Sequence, residues 1–335
     1  MYETYDTLVL SGASSKCFSI LGAVQYAHDN FLLKKVNTYI GTSAGAMLSY
    51  LLCIGYTPLE IMVYICTNQL LDRMQNFNIV AMIQGRGAIS YHYLQEHLEK
   101  LTISKIGYLP TMEDLYVKYG KTFIAVTHNI TDDCTEYLKW ETHPHLPCIT
   151  AIRMSSNLPL VFENFKYGHS YYVDGGISDN FAIKIADDME DTKKVLGFSL
   201  TANSIKNIDM DSDTLEFIYR LIFVPINQGV QYKISQVDNE KCTVVDIKSS
   251  THKFFDFNIN TRDKMEMFVD GYKQMETFDT KSNDDKDDDK DDDKDDDKDV
   301  DKDDDKDDEE GMKKDGEEVS KNHEDCSEGC DEVES

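Results

Sequence analysis

The sequence has no apolar run long enough to cross a membrane. Its most apolar stretch, Ala44 to Ile54, is shorter than the roughly 20 residues that a spanning helix needs. The first residues, Met1 to Asp6, have neither the basic start nor the apolar segment of a secretory signal. We therefore expect an intracellular protein without a transmembrane segment, located in the cytoplasm or peripherally at membranes.

Basic charge is also scarce. The chain carries 34 Lys and Arg against 62 Asp and Glu, a formal net charge of -28. Residues 281–335 account for -19 of this charge, and residues 1–280 for -9. Because nucleic-acid binding depends on Lys and Arg that neutralise phosphates, an acidic folded part argues against nucleic acid as a partner.

Metal-binding patterns are missing as well. The eight Cys do not follow metal-finger spacing, and His143 and His145 have no carboxylate or Cys at the usual ligand distance in sequence. We predict no metal site. Cys53 and Cys66 lie in apolar helical contexts, which predicts buried free thiols in a reduced compartment.

The end of the chain differs in kind from the rest. From Lys281 onward it consists largely of Asp-Asp-Asp-Lys repeats, which lack the Gly and Glu placement of an EF-hand loop. Such charged, weakly hydrophobic sequence cannot bury enough surface to offset its ordering entropy. We predict one folded domain over residues 1–280 and a disordered acidic tail over residues 281–335.

The folded part alternates short apolar strands with amphipathic helices. This order is typical of an α/β fold with a mostly parallel central sheet covered by helices on both faces. The predicted strands are 6–10, 39–40, 121–127, 135–140, 171–173, 195–200 and 242–247, and the predicted helices are 18–27, 46–53, 59–71, 91–101, 111–119, 147–155, 181–189, 215–236 and 261–278. Thr57 and Thr111 are expected as helix N-caps, and Pro225 as a kink.

The stretch Gly41-Thr42-Ser43-Ala44-Gly45 lies between a short strand and a helix. A nucleophilic Ser must stand on a sharp strand-to-helix turn, and flanking Gly residues let neighbouring backbone pass without a side-chain clash. The helix that follows directs backbone N–H groups and the positive end of its dipole at the reacting centre. The pattern predicts Ser43 as a nucleophile.

Two further segments have the composition of site elements. The loop Ser11 to Lys16 joins the first strand to a helix, an arrangement that suits an anion or an oxyanion but also describes an ordinary turn. Asp174, followed by Gly175 and Gly176, ends the strand 171–173, where open α/β sheets place functional groups. A simple Asp-Gly turn is the alternative for that segment.

Together these three segments, in this order, resemble the patatin-like phospholipase family over roughly residues 6–200. The connecting stretches 123–129 and 151–159 resemble segments that the family carries in the same order. The resemblance implies a three-layer α/β/α fold and hydrolysis of lipid carboxylic esters by a Ser-Asp dyad, through an acyl-enzyme and without a cofactor. Ser43 matches the nucleophile and Asp174 the base, while Gly41, Gly45, Gly175 and Gly176 match the supporting motif positions.

The loop implied to form the oxyanion hole, at Gly12, Ala13 and Ser14, departs from the family. The family's loop is rich in Gly with a basic residue before its last Gly. Here Gly12 and Lys16 match, whereas Ala13, Ser14 and Cys17 replace Gly. At a position that requires positive φ, each added Cβ costs about 1 kcal/mol. Loss of one oxyanion donor costs about 100- to 1,000-fold in rate, so we expect reduced activity.

Two alternatives remain at this point. The altered loop is compatible with a lipid-binding pseudoenzyme, and His252 after the last predicted strand is compatible with a Ser-His-acid hydrolase. In the hydrolase interpretation, the partner is a lipid or phospholipid at a membrane or micelle surface. Apolar loops near 77–90 and 158–165 are expected to be exposed and to provide the route from that surface.

Overall fold

The computed structural model describes residues 4–68, 70, 78–84, 87–202, 214–249 and 259–292. The strands are β1 (Thr7–Leu10), β2 (Thr38–Thr42), β3 (Thr122–Asn129), β4 (Cys134–Leu138), β5 (Phe165–Tyr167), β6 (Ser170–Asp174), β7 (Val195–Ala202) and β8 (Cys242–Ser249). The helices are α1 (Cys17–Asp29), α2 (Ala44–Cys53), α3 (Pro58–Thr67), α4 (Ile79–Ile83), α5 (His92–Ile106), α6 (Met112–Tyr119), α7 (Cys148–Ser155), α8 (Ile183–Asp188), α9 (Thr214–Ile234) and α10 (Thr261–Asp292).

The strands form a single mixed sheet of order β5-β6-β3-β2-β1-β7-β8, with β4 paired to β3. Strands β3, β2, β1, β7 and β8 are parallel neighbours, whereas β4, β5 and β6 pair antiparallel. The predicted mostly parallel sheet is confirmed. β5 has only three residues, too few to show a strand periodicity, and was not predicted.

Both faces of the sheet are covered. Along β1, Leu8 and Leu10 belong to one hydrophobic cluster, and Val9 belongs to the other. The second cluster contains Ile183 of α8 and Val230 of α9, while the first receives residues of α1, α2, α3, α5, α6 and α7. Because alternate strand residues point to opposite faces, these two clusters confirm the three-layer α/β/α fold.

Two helix starts agree with the predicted caps. The Thr57 hydroxyl accepts the N–H of Glu60, whose carboxylate accepts the N–H of Thr57. Thr111 and Asp114 make the same reciprocal pair at α6. Each capping box satisfies two N–H groups that a helix start leaves without a partner.

The helix ends differ from the predictions in several places. α3 ends at Thr67 rather than at residue 71, and the short helix α4 was not predicted. α10 continues to Asp292, well beyond residue 278 and into the segment for which we predicted disorder, since extending an existing helix avoids the cost of nucleation. The rest of the repeats, residues 293–335, lies outside the described residues. Pro225 lies inside α9, where the kink stays a prediction.

The two loops that we expected to be exposed contain buried as well as exposed side chains among their described residues, and their role as a route from a lipid surface stays a prediction. Ile89 forms a β-bridge to Phe162, and both side chains are buried in the first hydrophobic cluster. Val80 and Leu160 remain exposed, at 63% and 42%. The N–H groups of Ala88 and Ile89 donate to the carbonyl oxygens of Leu160 and Val161, which joins the two segments.

Among the helices of the described residues, none is by itself long and apolar enough to cross a membrane. The pair α2 and α3, bent by 120°, meets the length and composition test only when taken together.

Of the two predicted buried thiols, Cys53 is buried and Cys66 is half-buried, and both are free.

Candidate active site

Ser43 occupies the one-residue turn between β2 and α2. Its backbone has φ 57° and ψ -123°, a conformation that non-Gly residues rarely adopt. A Cβ at Gly41 would overlap the carbonyl oxygen of Gly45, and one at Gly45 would overlap the carbonyl oxygen of Leu10. The two glycines therefore permit the close backbone approach that a sharp turn at Ser43 requires.

The structure brings Asp174 to this turn. β6 pairs with β3, and β3 pairs with β2, so that the last residues of β2 and β6 lie close together. There the hydroxyl of Ser43 donates a 2.5 Å hydrogen bond from Oγ to Oδ2 of Asp174. The second carboxyl oxygen, Oδ1, accepts the N–H of Gly176 at 2.7 Å. Both carboxyl oxygens thus have a fixed partner.

Burial controls the electrostatics of this carboxyl group. Asp174 is only 3% exposed. Desolvation raises the pKa of Asp174 to about 6, and the hydrogen bonds from Ser43 and Gly176 act in the opposite direction. At neutral pH the carboxylate remains mostly ionised, and it is a stronger base than an exposed Asp.

Gly12 lies beside the turn, because a Cβ built on it would come within 3.4 Å of the Ser43 Cβ. Its N–H, however, donates to the carbonyl oxygen of Asn180 at 2.9 Å. The expectation that Gly12 donates to an oxyanion therefore does not fit this geometry. In the part of the chain that the structure describes, no protein acceptor takes up the N–H of Ala13 or Ser14.

The substituted glycine positions differ in backbone strain. Ser14 has φ 47°, in the region that favours Gly, whereas Ala13 has φ -143° and Cys17 has φ -57°. Only one of the three replacements therefore carries the penalty that the sequence led us to expect at all three. Lys16, which matches the family's basic position, ends the short 3₁₀ turn Ser14–Lys16 and is buried.

Two polar residues that sequence reasoning missed contact the site. The hydroxyl oxygen of Ser155, at the end of α7, accepts the backbone N–H of Ser43 at 3.0 Å. The side-chain amide of Asn180 donates to the carbonyl oxygen of Gly12 at 3.2 Å. Ser155 lies within the family-like stretch 151–159, but no local pattern distinguishes it from Ser156.

His143 and His145 do not join this site. His143 lies 3.8 Å from a carboxylate oxygen of Glu136, and His145 lies 3.8 Å from one of Glu113. Within the described ranges, no group of three or more His, Cys, Asp or Glu side chains has a geometry that would hold a metal ion. His252 lies outside the described residues.

A Ser hydroxyl on a strained strand-to-helix turn, hydrogen-bonded to a buried carboxylate at the edge of an α/β/α sandwich, is the arrangement expected of a serine hydrolase. Comparison with known proteins identifies the family. The model of the patatin-like phospholipase family matches residues 8–187, and the chain belongs to this family.

Viral proteins are among its relatives. A probable lipid hydrolase of Invertebrate iridescent virus 6 is 31% identical over 188 residues, which cover 54% of this chain and 63% of that protein. The chain thus spans less than two thirds of that relative. An uncharacterised protein of Acanthamoeba polyphaga mimivirus is 24% identical over 279 residues, covering 80% of this chain and 91% of that one.

The crystal structure of VipD from Legionella pneumophila is similar in fold. It matches with a TM-score of 0.51 at 14% identity, over 82% of this chain and 66% of VipD. At this identity the similarity concerns the fold alone, and it agrees with the layers and the mixed sheet described above.

Proposed function

We propose that this protein hydrolyses carboxylic ester bonds of lipids, as a phospholipase A or esterase, with Ser43 as nucleophile and Asp174 as general base. The observation that carries the proposal is the 2.5 Å hydrogen bond from the Ser43 hydroxyl to a buried carboxylate whose pKa is raised to about 6. Membership of the patatin-like phospholipase family and the relative named a probable lipid hydrolase support it.

In the first half of the proposed reaction, Oγ of Ser43 attacks the ester carbonyl carbon while Asp174 takes the hydroxyl proton. The tetrahedral intermediate collapses, the bond to the alcohol breaks, and Asp174 returns the proton to the departing oxygen. In the second half, Asp174 takes a proton from water, whose oxygen attacks the acyl-enzyme. The acid leaves, and Ser43 recovers its proton from Asp174.

The negative charge of the intermediate needs donors near Ser43. We assign this role to the N–H groups of Ala13 and Ser14, which have no protein acceptor among the described residues, and not to that of Gly12. The first turn of α2, which begins directly after Ser43, adds the positive end of a helix dipole.

The substrate in this proposal is a lipid or phospholipid at a membrane or micelle surface. The exposed Val80 and Leu160 support contact with such a surface. The net charge of -9 on residues 1–280 opposes adsorption to anionic lipids, so zwitterionic or neutral substrates are favoured. We place the activity in residues 1–280, and a chain that ends at Asp292 should hydrolyse esters at the rate of the full chain.

A lipid-binding protein without turnover is the second candidate. Two observations favour it: the strained Ser14 in the loop that should hold the oxyanion, and the N–H of Gly12 already bonded to Asn180. Labelling by a fluorophosphonate probe separates the candidates, because only an activated Ser43 reacts with it.

Hydrolysis of a short-chain chromogenic ester tests the main proposal. Ser43→Ala and Asp174→Asn should each abolish turnover while circular dichroism and melting temperature show an intact fold. Ser90→Ala and Asp133→Asn are matched controls, since both residues are exposed and outside the site. Undiminished turnover in either dyad variant would refute the assignment.

A further inference from the structure

The backbone N–H of Ser43 has an unusual acceptor. It donates to the side-chain oxygen of Ser155, 112 positions later in the sequence, at 3.0 Å. Ser155 is fully buried, so water does not compete for this hydrogen bond. Because Ser43 has φ 57°, its conformation costs free energy and persists only where neighbouring groups hold it. Ser155 is one such group.

The same helix end also holds the backbone of the second dyad residue. The N–H of Asp174 donates to the carbonyl oxygen of Asn157 at 2.9 Å, and the Asn157 amide donates to the carbonyl oxygen of Tyr172 at 2.9 Å. Thr127 of β3 has its hydroxyl 3.0 Å from the carbonyl oxygens of both Met154 and Val173. The end of α7 is therefore tied to β6 immediately before and at Asp174.

Other contacts also hold this helix end. The buried guanidinium of Arg153 lies 3.9 Å from the ring centroid of Tyr91 and 3.2 Å from a carboxylate oxygen of Glu163. The hydroxyl of Ser156 lies 2.7 Å from that of Tyr91. Ser155 thus projects from a helix end that several buried contacts hold in place.

We propose that Ser155 is a positioning residue that sets the distance between the Ser43 hydroxyl and the Asp174 carboxylate, by joining the backbone of Ser43 to the helix end that fixes Asp174. This inference rests on the proposed function. Ser155 itself does not touch the substrate.

Removing the Ser155 hydroxyl leaves the N–H of Ser43 buried without an acceptor, which favours relaxation of the strained turn. A displacement of about 1 Å at a nucleophile costs about 100-fold in rate. Because the hydrogen bond from Ser43 lowers the pKa of Asp174 against the effect of burial, a longer bond should raise that pKa. The acid limb of the pH–rate profile should then move to higher pH.

The experiment measures kcat, KM and the pH–rate profile of the full chain with a chromogenic ester. Ser155→Ala should lower kcat by about 10- to 100-fold with little change in KM, and it should move the acid limb upward. Ser156→Ala is the control for loosened packing, since it removes a buried hydroxyl that holds the same helix end but makes no hydrogen bond to Ser43. Ser155→Thr keeps a hydroxyl oxygen and should recover most of the lost kcat.

A kcat of Ser155→Ala within twofold of wild type would overturn the proposal. A lower kcat of Ser155→Ala would also overturn the proposal if its acid limb lay at the same pH as that of Ser156→Ala, since a general loss of packing would produce that result. If Ser155→Ala does not fold, Ser155→Thr decides: wild-type kcat and acid limb support the role, and a reduced kcat rejects it. Activity in Ser43→Ala would instead reject the proposed function itself.

Discussion

Oγ of Ser43 and Oδ2 of Asp174 lie 2.5 Å apart although 131 positions separate the two residues in the sequence. The carboxyl group of Asp174 is buried, and its other oxygen accepts the N–H of Gly176. In the proposed mechanism the two residues form one proton-transfer unit, and the protonation of Asp174 governs the predictions that depend on pH.

The rate of hydrolysis should depend on the ionisation of Asp174. The base form is present above the raised pKa of about 6 and is lost as the pH falls through it. We expect kcat/KM to rise tenfold per pH unit below this value and to level off above it. A profile measured from pH 4 to 8 with a neutral ester checks this, and half-maximal activity near pH 4 would show that burial does not tune the base.

The same carboxyl group should lower the stability of the folded protein at neutral pH. A pKa raised from 3.8 to about 6 means that the folded state disfavours the charged form. The resulting cost is absent below pH 4, grows between pH 4 and 6, and is complete above, at up to about 3 kcal/mol.

Asp174→Asn removes this charge and keeps an acceptor for Gly176. The variant should therefore unfold at a higher temperature than wild type at pH 7.5, and the difference should shrink at pH 4. Asp133→Asn, at a residue with a 96% exposed side chain, should show no such trend. Thermal unfolding at both pH values checks this, and a variant less stable than wild type at pH 7.5 would contradict the assignment.

Restoring glycine in the loop before α1 should have unequal effects at its two neighbouring positions. Ser14→Gly relieves a residue at φ 47° and should raise the free energy of unfolding by about 1 kcal/mol. Ala13→Gly, at φ -143°, relieves no strain and should be neutral or destabilising through chain entropy. Denaturant unfolding measures both, and equal effects would show that backbone strain does not distinguish them.

Asn180 should matter for turnover more than for binding. Its side chain donates to the carbonyl oxygen of Gly12, next to the proposed oxyanion donors. Asn180→Ala frees this end of the loop, and we expect kcat to fall by about 10-fold or more while KM stays nearly constant. Asn68→Ala, at the end of α3, is the control. A variant with wild-type kcat would show that the loop is positioned by other contacts.

The local parts of the site were predictable because each is encoded by a short segment. A strand, a small-residue turn and a helix place Ser43, and the two glycines around it have no space for a side chain. The position of Asp174 at the end of a strand was predicted by the same reasoning from a short segment. The division of the β1 side chains between two hydrophobic clusters likewise follows from the alternation of side chains along one strand.

Contacts between distant segments were not predictable from the sequence. Ser155 and Ser156 are adjacent and of the same type, and only the direction of each hydroxyl at the end of α7 distinguishes them. The hydrogen bond from the Gly12 N–H to Asn180 depends on the contact of two loops that are 168 positions apart in the sequence. Strand β5 is too short to show a periodic pattern of apolar residues. The length of α10 depends on the elongation of a helix whose first part is packed, and not on a pattern of apolar residues in its last part.

The order in which the strands join the sheet has a consequence for biosynthesis. The turn at Ser43 is complete within a few residues, but the carboxylate arrives only when β6 pairs with β3. Because this pairing closes a long loop, the loop-closure entropy must be offset before the contact stabilises the fold. A nascent chain still on the ribosome, with residue 174 not yet emerged, therefore carries the proposed nucleophile without its proposed base and should be inert towards lipids.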